Sequence, residues 1–158
     1  MAERAVDAYQ EGQSVAAFLC FRESLAAFRF RFRELTKVDV PTLDGGTSLH
    51  QRELLLRDFN ANTSRVLALQ IAAGGVGVSL HDLHGGHPRF SLISPGFSAR
   101  ELVQALGRVH RAGGKSKCAQ EIVLAHHPID LALKRTLDGK INCMETLTDM
   151  DLLSATPF

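Results

Sequence analysis

Gln104, Arg108 and Arg111 stand at i, i+4 and i+7 in the run Gln104-Ala-Leu-Gly-Arg-Val-His-Arg-Ala-Gly113. At about 100° per residue a helix aims all three along one narrow face and sets Leu102, Leu106 and Val109 on the opposite one. One face of such a helix packs and the other presents cations. A guanidinium keeps its charge at neutral pH and offers a planar fork of donors, which suits the charge that develops on a phosphoryl group during transfer. An ordinary amphipathic helix with a solvated basic face carries the same pattern, so this stretch alone leaves both readings open.

Other candidates stand before it. Ala72-Ala-Gly-Gly-Val-Gly77 follows directly on the apolar run Arg65 to Ile71, which has the length of a buried strand. A glycine-rich turn after a parallel strand lies at the carboxyl edge of the sheet, where open α/β folds bind ligands, although glycines also serve turns that hold nothing. Asp44-Gly-Gly-Thr47 is a second turn, whose glycines permit positive φ and close approach of a ligand to the backbone. His81, His84 and His87 surround Asp82 on a Gly-Gly-Pro loop without the four-ligand spacing that zinc requires, and His126-His127 beside Pro128 is similar. Both read as polar loops, and no metal site is expected. No cysteine is paired with a base by local spacing, which argues against thiol catalysis.

The elements that must position these residues alternate along the chain. A short helix over Ala2 to Glu11, closed by Gly12, precedes a continuous apolar strand, Ser14 to Phe21. A helix spans Glu23 to Leu35, with Leu25, Phe28, Phe32 and Leu35 inward and arginines around them, and a strand covers Val38 to Leu43. Ser48 caps a helix through Phe59, the third strand is Arg65 to Ile71, and Phe90 to Ser94 is the fourth, broken by Pro95-Gly96. Ser98 caps the helix that carries Gln104, Ala119 to Ala125 is the fifth strand, and Pro128 opens a helix over Ile129 to Leu137. This order predicts an α/β fold with a mainly parallel sheet of five to six strands and helices on both faces. One domain over 1–145 is expected, with a tail over 146–158.

At 158 residues, 45% of them hydrophobic, the chain is large enough to bury its own core, and a net charge of +1 places any polyanion site in local arrangement instead of bulk charge. Cys20, Cys118 and Cys143 are far apart and odd in number, as in reduced thiols of an intracellular protein. No apolar run reaches the roughly 20 residues of a membrane span. A soluble protein of cytoplasm or nucleus is expected, with no membrane partner.

The strand Val15 to Phe21, Leu43-Asp-Gly-Gly46 with Arg52, Ala72-Ala-Gly-Gly-Val-Gly-Val-Ser79 and Gln104-Ala-Leu-Gly-Arg-Val-His-Arg111 occur in the order and spacing of one known family. Together they resemble the carboxyl-terminal RecA-like domain of superfamily-two helicases and translocases over nearly the whole chain. The last two motifs look most like the Swi/Snf-type branch, although that branch often has glutamine where this chain has Gly114. The resemblance implies that Arg108 and Arg111 reach across an interdomain cleft to the terminal phosphates of a nucleotide, with Gln104 organising the same site. It implies nucleotide contacts at Gly75, Gly77 and Ser79. Contacts to a nucleic-acid backbone are implied at Phe21, Arg22, Gly45, Gly46, Thr47, Arg52 and Gln70.

Such an enzyme also needs a first lobe with a Gly-x-x-x-x-Gly-Lys-Ser/Thr loop after a strand and an acidic pair for magnesium. Gly113-Gly-Lys-Ser116 imitates the end of that loop, but Val109 stands where its first glycine is required, and the sequence has no adjacent Asp-Glu pair. Half of an ATPase is therefore expected, inactive alone, with ATP and Mg2+ held mainly by an N-terminal RecA-like lobe in cis or trans. The expected partner is nucleic acid, DNA in preference to RNA. A non-catalytic nucleic-acid-binding or regulatory module with the same fold is the alternative, and the joint presence of Gln104, Arg108 and Arg111 favours the ATPase lobe.

Overall fold

Residues 1–74, 78–109, 113–124, 128, 131–137 and 139 are described by the structure, a computed structural model. In chain order the elements are α1 (Ala2–Gln10), β1 (Ser14–Leu19), α2 (Arg22–Thr36), β2 (Thr42–Leu43), α3 (Leu49–Asn60), β3 (Val66–Gln70), α4 (Ile71–Gly74), β4 (Arg89–Ser94), α5 (Ala99–Leu106) and β5 (Cys118–Ile122). Residues 131–137 are helical as well, while the expected tail over 146–158, His126-His127 and Cys143 lie outside the described residues.

The five strands form one parallel sheet in the order β2-β3-β1-β4-β5. All six residues of β1 are buried, because helices cover both faces of the central strand. Successive side chains divide between two cores. Val15, Ala17, Leu19, Val66, Ala68, Phe90 and Leu92 pack with α1 and with Leu25, Phe28 and Phe32 of α2. Ala16, Phe18, Leu67, Leu69 and Ile93 pack on the other side with Phe59 of α3, Leu102 and Ala105 of α5, and Leu133 and Leu137. The mainly parallel α/β sheet expected from the alternation is thus present, with five strands.

The second strand is shorter than Val38 to Leu43 because Pro41 has no N–H to donate to a ladder. Its carbonyl accepts from the Ala68 amide at 3.0 Å, and only Thr42 and Leu43 continue the pairing. After β1 the chain leaves through α2 on one face, and after β4 it leaves through α5 on the other. Neighbouring strands whose connections depart to opposite faces make a topological switch point, the place at the carboxyl edge where open α/β sheets bind ligands. Among the described residues no helix is long and apolar enough to cross a membrane.

Candidate functional site

Parallel pairing brings the carboxyl ends of the strands, and the residues that follow them, to one edge. Leu19 of β1 lies opposite Gln70 and Ser94, and Leu43 of β2 lies opposite Leu69. Phe21 and Arg22, Asp44 to Thr47, and Gln70 therefore share that edge, Phe21 with 60% of its surface exposed. Gly96, after β4, sits so close to Cys20 that a Cβ there would lie 2.6 Å from its Sγ, which requires glycine for the two loops to meet. Burial, then the charge of Glu101, pushes the Cys20 thiol up. Beside these loops a cavity of about 530 Å³ is lined mainly by apolar groups, including Leu19, Phe28, Pro95 and Val123. That lining suits neither phosphate nor a cation.

The turn at Asp44 to Thr47 is held from within. The Asp44 carboxylate accepts from the Gly46 amide at 2.8 Å and the Thr47 hydroxyl at 3.2 Å, while the Asp44 amide donates to Thr47 Oγ1 at 3.0 Å. Arg22 Nε lies 3.5 Å from Asp44 Oδ2. The Gly46 amide, opposed by burial and helped by the Arg22 charge and the Thr47 bonds, holds the Asp44 carboxyl below its usual range. Neither Gly45 nor Gly46 has positive φ, contrary to the expected use of these glycines. A Cβ at either position would meet Arg22 Nη2 at ordinary contact distance, 3.9 Å and 3.7 Å, so the packing around Arg22 does not demand glycine there.

At the end of β3 the chain makes a short helix, α4, before the glycines, where a turn directly after the strand was expected. Arg52 reaches across from α3 and donates to the carbonyl of Ala73, a group that the end of a helix leaves without an internal partner. Its Nε is buried without a hydrogen-bond partner. Gly75 and Gly77 lie outside the described residues. Beyond them, Ser79 pairs its hydroxyl with His81 Nδ1 at 2.7 Å, and its carbonyl accepts from Asn60 Nδ2 at 2.9 Å.

The helix that carries Gln104 does not continue through Arg108. α5 ends at Leu106 with Gly107 as its C-cap, so Gln104 lies in the helix and Arg108 in the turn after it. Distant groups occupy the carbonyls that a longer helix would use. Gln120 Nε2 donates to the Leu106 carbonyl at 2.7 Å, and the Leu80 amide donates to the Arg108 carbonyl at 2.9 Å. Glycine, a poor helix former, yields readily at that point. Arg108 Nη1 nevertheless lies 3.5 Å from the Val78 carbonyl. Arg111 lies outside the described residues.

One cluster escaped sequence reasoning. Asp82, read as part of a polar loop, is buried, and its carboxylate accepts from Ser116 Oγ at 2.6 Å and from the His84 and His87 amides at 3.1 Å and 3.4 Å. Arg89 Nη2 stands 3.9 Å from it, and that guanidinium, also buried, gives Nη1 to Asn62 Oδ1 at 2.7 Å and lies 4.7 Å from the centre of the Phe59 ring. Burial works to raise the Asp82 carboxyl, but the bonds from Ser116, His84 and Gly85, with the Arg89 charge, outweigh it and hold the group far below the usual carboxylate range. Burial pushes the Arg89 guanidinium down, against the pull of Asp82. The available signal was an acid and a base seven residues apart around a Gly-Gly turn, closable into a pair. Among the described residues no group of three or more His, Cys, Asp or Glu could hold a metal.

The family described as Helicase conserved C-terminal domain matches residues 2–113. A protein of Acanthamoeba polyphaga mimivirus assigned as an ATP-dependent RNA helicase is 42% identical over 109 residues, which cover 68% of this chain and 20% of that protein. The DNA repair protein RAD5 of Candida glabrata is 31% identical over 108 residues, covering 65% of this chain and 9% of its own length. The chain spans a fifth or less of these curated relatives. Among solved structures, the C-terminal part of the Fun30 ATPase domain superposes with a TM-score of 0.68 at 21% identity, over 82% of this chain and 40% of that one. The DUF1998 helicase MrfA bound to DNA and AMPPNP does so with a TM-score of 0.67 at 18% identity, over 89% and 20%. These likenesses concern the fold.

Proposed function

Because the chain belongs to the helicase conserved C-terminal domain family, we propose that it acts as the second RecA-like lobe of an ATP-dependent translocase on nucleic acid. ATP is held mainly by a first RecA-like lobe, in cis or in trans, and Arg108 completes the site from this side. Two carboxylates near these loops are not free to hold magnesium: Asp44 is engaged by its own turn and Arg22, and Asp82 by Ser116 and Arg89. That ion belongs with the first lobe. Arg108, with Arg111 and Gln104, supplies positive charge and donors to the γ-phosphoryl group as it passes to water. Gly75, Gly77 and Ser79 are the nucleotide contacts in this reading. Phe21, Arg22, Gly45 to Thr47, Arg52 and Gln70 form the proposed track for a nucleic-acid backbone, with DNA as the favoured polymer.

The observation that carries this function is the contact of Arg108 with residues 78 to 80. In this reading a shift of residues 78 to 80 on binding nucleic acid is passed to the arginine, and a shift of the arginine on binding nucleotide is passed to those residues. An arginine that meets the γ-phosphate as charge develops favours the transition state over bound ATP, and such groups are worth about 10³ to 10⁵ in turnover. In the two-lobed protein, Arg108→Ala and Arg111→Ala are each expected to lower turnover at least about a hundredfold with little change in ATP affinity. Arg108→Lys rescues poorly, since a point charge does not reproduce the fork. The chain by itself melts cooperatively and hydrolyses ATP negligibly. Near-wild-type turnover in both alanine variants would refute the catalytic assignment.

A further inference from the structure

The buried pair at the amino end of β4 has no part in the site proposed above, yet it is joined to it through three residues of chain. Asp82 binds Ser116 through its carboxylate and the Lys115 amide through its carbonyl, at 2.6 Å and 2.8 Å. Arg89 ties the pair to the sheet, since it is the first residue of β4 and its amide donates to the Lys117 carbonyl at 2.9 Å. Two residues upstream of Asp82, the Leu80 amide holds the Arg108 carbonyl at 2.9 Å, and two further upstream the Val78 carbonyl faces Arg108 Nη1 at 3.5 Å. The backbone and the side chain of Arg108 both rest on a segment whose far end is pinned by Asp82.

Burying a carboxylate and a guanidinium is a poor way to gain stability, because desolvation offsets most of the attraction. The arrangement here even leaves Arg89 Nε and Nη2 without hydrogen-bond partners. A loop that needed only to be filled would be served as well by apolar side chains of similar volume. What a charged, multiply bonded anchor provides is a single position, and a phosphoryl-transfer site is sensitive to position: a 1 Å misplacement costs on the order of a hundredfold.

We propose, on the footing of the arginine assignment above, that Asp82 is a positioning residue for Arg108, with Ser116 and Arg89 as the groups that fix it. Ser116→Ala is the mildest probe, for it removes one hydroxyl from the anchor and leaves the Asp82–Arg89 pair in place. In the two-lobed protein it lowers kcat about tenfold or more while KM for ATP and affinity for a DNA oligonucleotide stay within about twofold. Asp82→Asn does the same or more. Residues that act through one another do not add: introduced into Arg108→Ala, Ser116→Ala lowers single-turnover hydrolysis no further.

The outcomes separate the two assignments. If Arg108→Ala itself turns over normally, the arginine assignment fails, and the positioning role fails with it. If Arg108→Ala is crippled while Ser116→Ala and Asp82→Asn turn over normally, the arginine stands and the positioning role of Asp82 is overturned. A Ser116→Ala defect that persists at full size in the Arg108→Ala background overturns it too, because the anchor would then act by another route. Loss of folding in Asp82→Asn leaves the decision to Ser116→Ala, whose hydroxyl is not needed to neutralise a buried charge.

Discussion

Asp44 occupies an unusual place for an acid, within the proposed track for a polyanion. Its carboxylate is committed to the Gly46 amide and the Thr47 hydroxyl, and it also takes up part of the charge of Arg22. Asparagine at this position keeps an acceptor for the Gly46 amide and removes the negative charge. Asp44→Asn is therefore expected to bind single-stranded or duplex DNA more tightly at low salt, while Arg22→Ala binds more weakly and flattens the salt dependence by about one phosphate contact. Titration at several salt concentrations reads both effects. Weaker binding by Asp44→Asn would show that Arg22 and Asp44 form a structural pair away from the polymer.

At the scale of elements, α3 is the one most dependent on its cap. Only Phe59 among its residues is fully buried, so packing does less for it than for α2, which buries Leu25, Phe28 and Phe32. Ser48 and Gln51 compensate with a reciprocal capping box at its start. α3 also carries Arg52, whose bond to the Ala73 carbonyl steadies the approach to the glycine turn. Ser48→Ala is expected to cost about 1 kcal/mol, a fall in melting temperature of roughly 2 to 4 °C for a domain of this size. Ser48→Asp should restore most of it, since aspartate caps equally well. An unchanged melting temperature in Ser48→Ala would mean that tertiary packing alone holds α3.

For the molecule as a whole, the buried Asp82 links stability to acid pH. The unfolded chain carries this carboxyl at its ordinary value, about 3.9, and the folded chain holds it far lower. A depressed folded value means that the unfolded state binds the proton first. The contribution is complete above about pH 4 and is lost progressively as pH falls below it. Asp44, also lowered, adds to the same trend. Melting temperature should therefore drop between pH 6 and pH 3, and the drop should be smaller in Asp82→Asn combined with Arg89→Met, which removes the titrating group without stranding its partner. An equal drop in both proteins would assign acid sensitivity to other carboxylates.

Local chemistry was enough to read much of this chain. Apolar runs with turn signals between them located the strands, and their alternation with helical spacings gave a parallel sheet covered on both sides, as the two interleaved cores bear out. Ser48 and Ser98 were legible as caps because a cap needs only a hydroxyl and the amide three residues on. The motifs legible by their order, from Phe21 to Arg111, depend on residue types alone. The end of α5 was decided by Gln120 and Leu80, which lie far from Leu106 and Arg108 in sequence and take carbonyls that helical periodicity would have kept. The same holds for Arg52, drawn inward to the Ala73 carbonyl, and for Asp82, whose partners Ser116, Arg89 and, through it, Asn62 meet only when β4 and β5 are paired. Propensity acts over a few residues, whereas a buried charge or an orphaned carbonyl must find a partner wherever the folded chain provides one.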